Sequence, residues 1–304
     1  MELVLSTVAQ GLLWAVLAIG LFITFRILDI ADLSIEGTYP LGGAIAVMTI
    51  TGGGSPLLAV IFAFFGGCIA GAVTGFLHTK LKIPALLAGI LTMSGLYSVN
   101  LLTMDSKANL TLIGVDTIFS LTAPIFGGDL DLAKTLVNLV LVALAVFLIY
   151  TFFKTRIGLS IRATGDNEYM VRASSINIGV TKILALALSN AIIALSGGIL
   201  AQYQQFADIS SGVGMLVVGL ASVIIGEAFL GQRGILCGLC AAVLGSIIYR
   251  LLIALAYQTN IFPSATFRLI SAVIVTIALA IPAIKQLLDM QRKRKENLRD
   301  AHID

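Results

Sequence analysis

Residues Thr155–Lys182 read "TRIGLSIRATGDNEYMVRASSINIGVTK", and they interrupt a chain that is otherwise strongly apolar. Arg156, Arg162, Asp166, Glu168, Arg172 and Lys182 fall within these 28 positions, whereas only 12% of the whole sequence is charged. Thr164, Asp166 and Asn167 are helix-starting residue types, good helix formers follow them, and Asn177 and Gly179 are stop signals. The pattern predicts a helix of about two or three turns, too short to cross a bilayer. Tyr169, Met170 and Ala173 share one face of it by i, i+3, i+4 spacing. Two uses fit such a segment. Its apolar face can plug into a soluble partner, or the whole stretch can be a solvated loop.

Working outward, apolar runs flank the island on both sides. The 304 residues are 58% hydrophobic and 12% charged, against roughly 25% charged in an ordinary soluble chain. Runs of about 20 apolar residues match a hydrocarbon core of about 30 Å. They are continuous, without the alternation of a membrane β-barrel. The fold class is therefore an all-α polytopic membrane protein of about nine spans, with eight to ten as the range. The spans are Leu3–Phe25, Gly37–Ile50, Leu57–Leu77, Pro84–Leu102, Thr135–Phe153, Lys182–Tyr203, Val213–Leu230, Gly234–Ala256 and Phe267–Leu287. The second is short and polar at its start, which suggests a broken or partly inserted helix. One membrane domain covers residues 1–290, with the polar loop at 154–182, and a basic tail follows at 291–304.

Basic residues set the orientation. Placing the island in the cytoplasm and alternating outward puts fifteen of the 19 Lys and Arg residues inside. Only Lys107, Lys134, Arg250 and Arg268 then fall at the outer side. This predicts an outer N-terminus and a cytoplasmic C-terminus, whose tail lies near anionic lipid head groups rather than nucleic acid. The first span lacks a basic n-region and is longer than a signal-peptide core, so it reads as a retained helix. The longest connection, residues 103–134, is outside and is expected to carry a short surface helix.

Small residues point to close packing. Gly67, Gly71 and Gly75 recur every four residues, and Gly234 and Gly238 repeat the interval. Such spacing lets helix backbones approach in lipid, here within one chain. Cys237 and Cys240 form a C-x-x-C, but in "GILCGLCAAVLG" they read as packing residues. With Cys68 elsewhere and His78 and His302 isolated, no zinc set is completed. "ADLSIEGTYPLGGAIAV" at 31–47 aligns without gaps on "ADISSGVGMLVVGLASV" at 207–223. The predicted topology orients the two oppositely, as in an inverted repeat around a transport path.

Ionisable groups in lipid are costly and therefore informative. Asp29 and Asp32 read as interfacial or capping residues, while Glu36 and Glu227 suit either a cap or a pathway. The polar residues assigned to a substrate path are Ser34, Glu36, Thr38, Tyr39, Ser94, Asn100 and Asn190. No phosphate-binding G-x-x-x-x-G-K-[ST] loop, catalytic set or metal cluster stands out. The sequence thus describes a non-enzyme with no catalytic residue, metal or cofactor of its own. Its few intramembrane charges weigh against a proton pump, so energy comes from elsewhere.

Three stretches carry a family resemblance. "T-R-I-G-L-S-I-R-A-T-G-D-N-E…A-S-S-I-N-I" resembles the cytoplasmic loop of ABC-importer permeases of the branched-chain amino-acid and ribose type. "LDIADLSIEGTYPLGGAIAV" resembles their D-L-S-x-G element, and "VGLASVIIGEAFLGQRGILCGLCAAVLGSIIY" resembles their late pair of spans. Ser175 departs from the family, which often has Gly before the Ile-Asn pair, and Glu36 is an unusual acid in the first element. Within the family the chain resembles a subgroup associated with amino acids, including aromatic ones. The resemblance implies a permease working by alternating access as a pair of identical copies, in the plasma or inner membrane of a bacterium or archaeon. It also implies two partners, cytoplasmic ATPase subunits that bind the ATP and an extracytoplasmic solute-binding protein. The ATPase would dock on Arg162, Gly165, Asp166, Asn167, Glu168, Tyr169, Met170, Arg172 and Ala173. An ion-coupled secondary transporter is the rival reading, and a membrane scaffold or enzyme a distant third.

Overall fold

A computed structural model describes residues 2–258, apart from 128, 232 and 233, together with the isolated positions 272, 273, 276 and 280. The expected last span Phe267–Leu287 and the basic tail lie outside the described residues. In order, the elements are α1 (Glu2–Leu21), a π-helical turn (Phe22–Ile27), α2 (Ile35–Thr51), α3 (Pro56–Thr79) and α4 (Ala85–Thr103). A short strand β1 (Asn109–Thr111), α5 (Ile118–Thr122) and a 3-10 turn (Ala123–Phe126) follow. Then come α6 (Leu130–Lys154), α7 (Arg156–Asp166), α8 (Glu168–Ala173), α9 (Ile178–Gln204) and β2 (Phe206–Asp208). A 3-10 turn (Ile209–Gly212), α10 (Met215–Leu230) and α11 (Ile235–Gln258) complete the described chain. By contacts the chain divides after Leu251, and of residues 252–304 only the end of α11 and the isolated positions are described.

Seven described helices are long and apolar enough to cross a membrane, the first running through the π turn to Ile27. The protein is a multi-pass membrane protein. The 17-residue α2 is shorter than these, and it is where the bundle is most irregular. The chain leaves the π turn at Asp29, whose φ of 55° is left-handed, and crosses residues 30–34 without regular structure. α2 then begins beside Asn190, the thirteenth residue of α9 and thus about 18 Å along that helix. Irregular backbone at such depth survives only where protein, not lipid, surrounds it. Here Ile35, Gly37 and Thr38 are all buried.

α9 is the central post of the bundle. Ideal Cβ atoms at Gly67, Gly71 and Gly75 of α3 would meet Asn190 O at 2.3 Å, Leu186 O at 2.2 Å and Ile183 Cα at 2.8 Å. The four-residue glycine spacing is therefore used inside the chain, where backbones touch and dispersion contacts replace side-chain bulk. α2 crosses the same post through Gly42 and Gly197. Gly238 meets the Phe22 ring, whereas nothing lies within 4 Å of a Cβ at Gly234. The three cysteines are free, and Cys237 Sγ approaches Leu230 O at 3.5 Å in the turn between α10 and α11.

Residues 103–134 contain the expected short helix, α5, closed by a capping box between Thr117 and Ser120. They also contain β1, which pairs antiparallel with β2 in the register Asn109↔Asp208 and Thr111↔Phe206. Gln202 anchors the loop by accepting the Ile118 N–H at 3.0 Å and donating to Pro56 O at 3.1 Å.

The polar island folds as two helices rather than one. Thr164 is not a start signal: it lies buried within α7, donating to Ser160 O at 2.7 Å and meeting Thr181 Oγ1 at 3.0 Å. Asp166 is the last residue of α7. Asn167 alone caps α8, its Oδ1 accepting the N–H groups of Tyr169 and Met170 at 3.0 and 3.1 Å. α8 has six residues, shorter than expected, because Ser175 turns left-handed at φ 60°. This explains the family glycine at that place, since a residue without Cβ adopts the turn without strain.

Candidate functional site

Two polar centres emerge, one deep between helices and one on the island. In the first, Asp32 is 2% exposed and caps the turn into α2, so of interfacial placement and capping it is the cap that the fold uses. Its Oδ1 accepts the Ser34 N–H at 2.8 Å and its Oδ2 accepts from Asn190 Nδ2 at 2.7 Å. Ser34 Oγ donates to Asn190 Oδ1 at 3.2 Å, closing the ring of contacts. A buried carboxylate is tolerated because it is answered this completely. Ser34 and Asn190 thus belong to a sealed network, and Asp32 is the member that sequence reasoning left out. The signal was the Asp-x-Ser spacing, which recurs as Asp208 and Ser210 with the same turn, the Ser210 N–H donating to Asp208 Oδ1 at 2.6 Å.

The remaining pathway residues divide. Thr38 donates back to Ser34 O at 3.0 Å within its own helix, and Tyr39 is buried among Leu13, Leu17 and Leu21. Glu36, Ser94 and Asn100 instead meet in a cleft of about 420 Å³ between α2, α4 and the 3-10 turn before α10. Tyr97, Met93, Pro40, Ile209, Ser210 and Val213 complete its walls. Asn100 Nδ2 donates to Gly37 O at 3.0 Å, while its buried Oδ1 has no hydrogen-bond partner among the described residues. Glu36 Oε1 accepts the N–H of Gly214, the N-cap of α10, at 3.0 Å.

On the island, Gly165 packs so tightly on the π turn that a Cβ would lie 1.9 Å from Ile27 O. Arg26, in the same turn, pairs with Glu227 of α10 at 2.8 Å. Those two residues, Arg162, Asp166 and Gly238 line a small cavity of about 260 Å³. Beside it, Gly165, Asp166, Asn167, Glu168, Tyr169 and Arg172 surround an open notch of about 530 Å³. Lys182 of α9 pairs with Glu168. Val171 is the buried residue of α8, whereas Tyr169 is 86% and Met170 57% exposed, and Ala173 and Arg172 are exposed as well. Eight of the nine expected docking residues are therefore exposed together, with Gly165 half-buried between them and the bundle. Among the described residues no group of three or more His, Cys, Asp or Glu side chains is placed to hold a metal ion.

Fold and sites define a helical membrane protein with a polar crevice inside and a small exposed helix at one end. Residues 3–279 match the family described as branched-chain amino acid transport system / permease component. A tyrosine transport system permease protein of Clostridioides difficile is 37% identical over 277 residues, covering 91% of this chain and 90% of the relative. The uncharacterized protein RP368 of Rickettsia prowazekii is 32% identical over 92% and 98% of the two chains. The ribose import permease protein RbsC of Escherichia coli is 29% identical over 74% and 69%. No solved structure matches the chain. The chain belongs to this permease family, and its general task is that of the membrane component of an ABC-type importer for a small solute.

Proposed function

We propose that the chain is the membrane-spanning subunit of an ATP-driven importer for an amino acid, with aromatic ones favoured, working by alternating access as a pair of identical copies. A solute-binding protein delivers the solute on the side of β1 and β2. Cytoplasmic ATPase subunits grip α8 and the adjoining notch. The tyrosine-transport relative, similar over nine-tenths of both chains, supports the substrate class.

The observation that carries this reading is α8 itself. Its cap and its ion pair hold it in place, while Tyr169 and Met170 are left exposed with no apolar cover among the described residues. A contiguous route leads inward from there. α8 continues from α7, α7 presses on the π turn at Gly165, and Arg26 in that turn holds Glu227 near the end of α10. The other end of α10 begins at Gly214, which is bonded to Glu36 in the cleft. A push on α8 is thus applied to the helix that borders the cleft. For that push to drive transport, solute affinity must differ between the two states of the cleft. The matching Asp-x-Ser turns before α2 and α10 support an inverted repeat around it.

Sealed vesicles loaded with ATP test the proposal. Uptake of labelled tyrosine that needs internal ATP and survives collapse of ion gradients is the expected result. Uptake that proceeds without ATP and stops when the gradients collapse would instead assign the chain to ion-coupled transport.

A further inference from the structure

The cleft between α2 and α4 has a chemistry more specific than polarity. Glu36 is its one ionisable carboxylate, and its lining contains no Lys, Arg or His. Glu36 Oε1 is occupied by the Gly214 N–H, and the start of α10 stabilises negative charge there. Its second oxygen makes no hydrogen bond among the described residues. Across the cleft, the Asn100 side chain is 1% exposed, and its amide is fixed by the bond from Nδ2 to Gly37 O. That bond leaves Oδ1 as an acceptor without a donor among the described residues, a costly arrangement in a buried group unless something else supplies one. One carboxylate oxygen and one buried acceptor therefore remain open, and the lining supplies no cation to pair with the carboxylate.

We propose that this cleft is a subsite for the ammonium group of the transported solute, bound by Glu36 and Asn100 Oδ1, with the solute's apolar body against Tyr97 and Val213. An ammonium brings three donors and one positive charge, which matches both unmet groups. The exposed Tyr97 ring offers a face for an aromatic body or for the cation itself. The volume of about 420 Å³ falls in the range of small-molecule sites. A neutral sugar brings no positive charge to pair with Glu36. This inference rests on the transport reading and adds to it the functional group that the permease reads.

Thiol accessibility tests it in membranes holding the full chain. Cys68, Cys237 and Cys240 are replaced by Ala, and Ser94→Cys places a single thiol in the cleft, with Ser210→Cys as a second reporter on the opposite wall. A trimethylammonium-ethyl methanethiosulfonate and its sulfonate counterpart are the probes, each rate being normalised to a free thiol in solution. We expect the cationic reagent to react about tenfold faster at either position, from one charge at close range. Glu36→Gln should abolish that preference. L-Phenylalanine should slow the labelling, and 3-phenylpropanoate, which keeps the ring but lacks the amine, should not. Equal rates for the two reagents, a preference that Glu36→Gln leaves intact, equal protection by both solutes, or no protection by phenylalanine would each overturn the inference. ATP-driven uptake is measured separately on Glu36→Gln. Uptake with unchanged amine selectivity removes this subsite and leaves the transport reading standing, whereas ATP-independent uptake by the parent chain removes that reading instead.

Discussion

The break before α2 and the helix α8 are both polar interruptions of an apolar chain, yet they are satisfied in opposite ways. At the break, Asp32, Ser34 and Asn190 answer one another, and Asp32 is almost wholly buried. At α8, the cap on Asn167 and the Glu168–Lys182 pair hold the helix, while Tyr169 and Met170 face outward. The difference separates polarity that builds the fold from polarity that waits for something. A network closed within the chain contributes stability and is costly to open. An exposed apolar pair on a held scaffold contributes little to folding, so its presence needs another cause.

The largest effect should come from opening the closed network. Asn190→Leu leaves the Asp32 carboxylate short of a donor inside the bundle, and a loss of about 3 kcal/mol is expected in denaturant unfolding of the purified protein. If stability holds within about 0.5 kcal/mol, the Asp32–Ser34–Asn190 network does not hold the fold together. Next in size is Gly71→Ala, where the added Cβ would sit 2.2 Å from Leu186 O. It should cost about 2 kcal/mol by forcing α3 off α9, read in the same assay. The pair Tyr169→Ala and Met170→Ala should behave in the opposite way, with stability within about 0.5 kcal/mol of the parent and ATP-driven uptake lost. Glu168→Lys should weaken co-purification of the ATPase and cost about 1 kcal/mol of stability, since the half-exposed Glu168 pairs with a Lys182 that is only 12% exposed. The smallest effect belongs to Ser175→Gly. Relief of left-handed strain of about 1 kcal/mol is largely offset by the freedom of glycine in the unfolded chain, leaving a net change within about 0.5 kcal/mol.

The sequence disclosed the parts of this molecule that repeat a simple pattern. Apolar run length gave α3, α4, α6, α9, α10 and α11 to within a few residues, because a bilayer fixes span length. The Gly67, Gly71, Gly75 spacing pointed to a close helix crossing but not to its partner, which tertiary packing chose as α9. Asp32 was read as an interfacial or capping residue, and its capping of the turn before α2 was legible while its burial was not. Only the fold shows that Asn190, 158 positions later, is there to meet it. The same holds for the cleft. Glu36, Ser94 and Asn100 were singled out as polar residues in spans, yet nothing in the sequence separated them from Thr38 and Tyr39, which turn inward. In the island, helix-start residues were recognised, but Thr164 and Asp166 were spent on α7, since a capping residue type does not reveal which helix it ends or begins.

A photo-reactive amino acid at position 169 measures the central claim most directly. The full chain is co-expressed with the proposed ATPase partner and irradiated in the membrane. The exposed face of α8 predicts an adduct between this position and the ATPase, and none from Ile113, which is 77% exposed in the connection between α4 and α6. Position 169 giving adducts only to lipid or to the permease itself, or position 113 labelling the ATPase equally, would contradict the assignment of α8 as the place where ATP-driven motion enters.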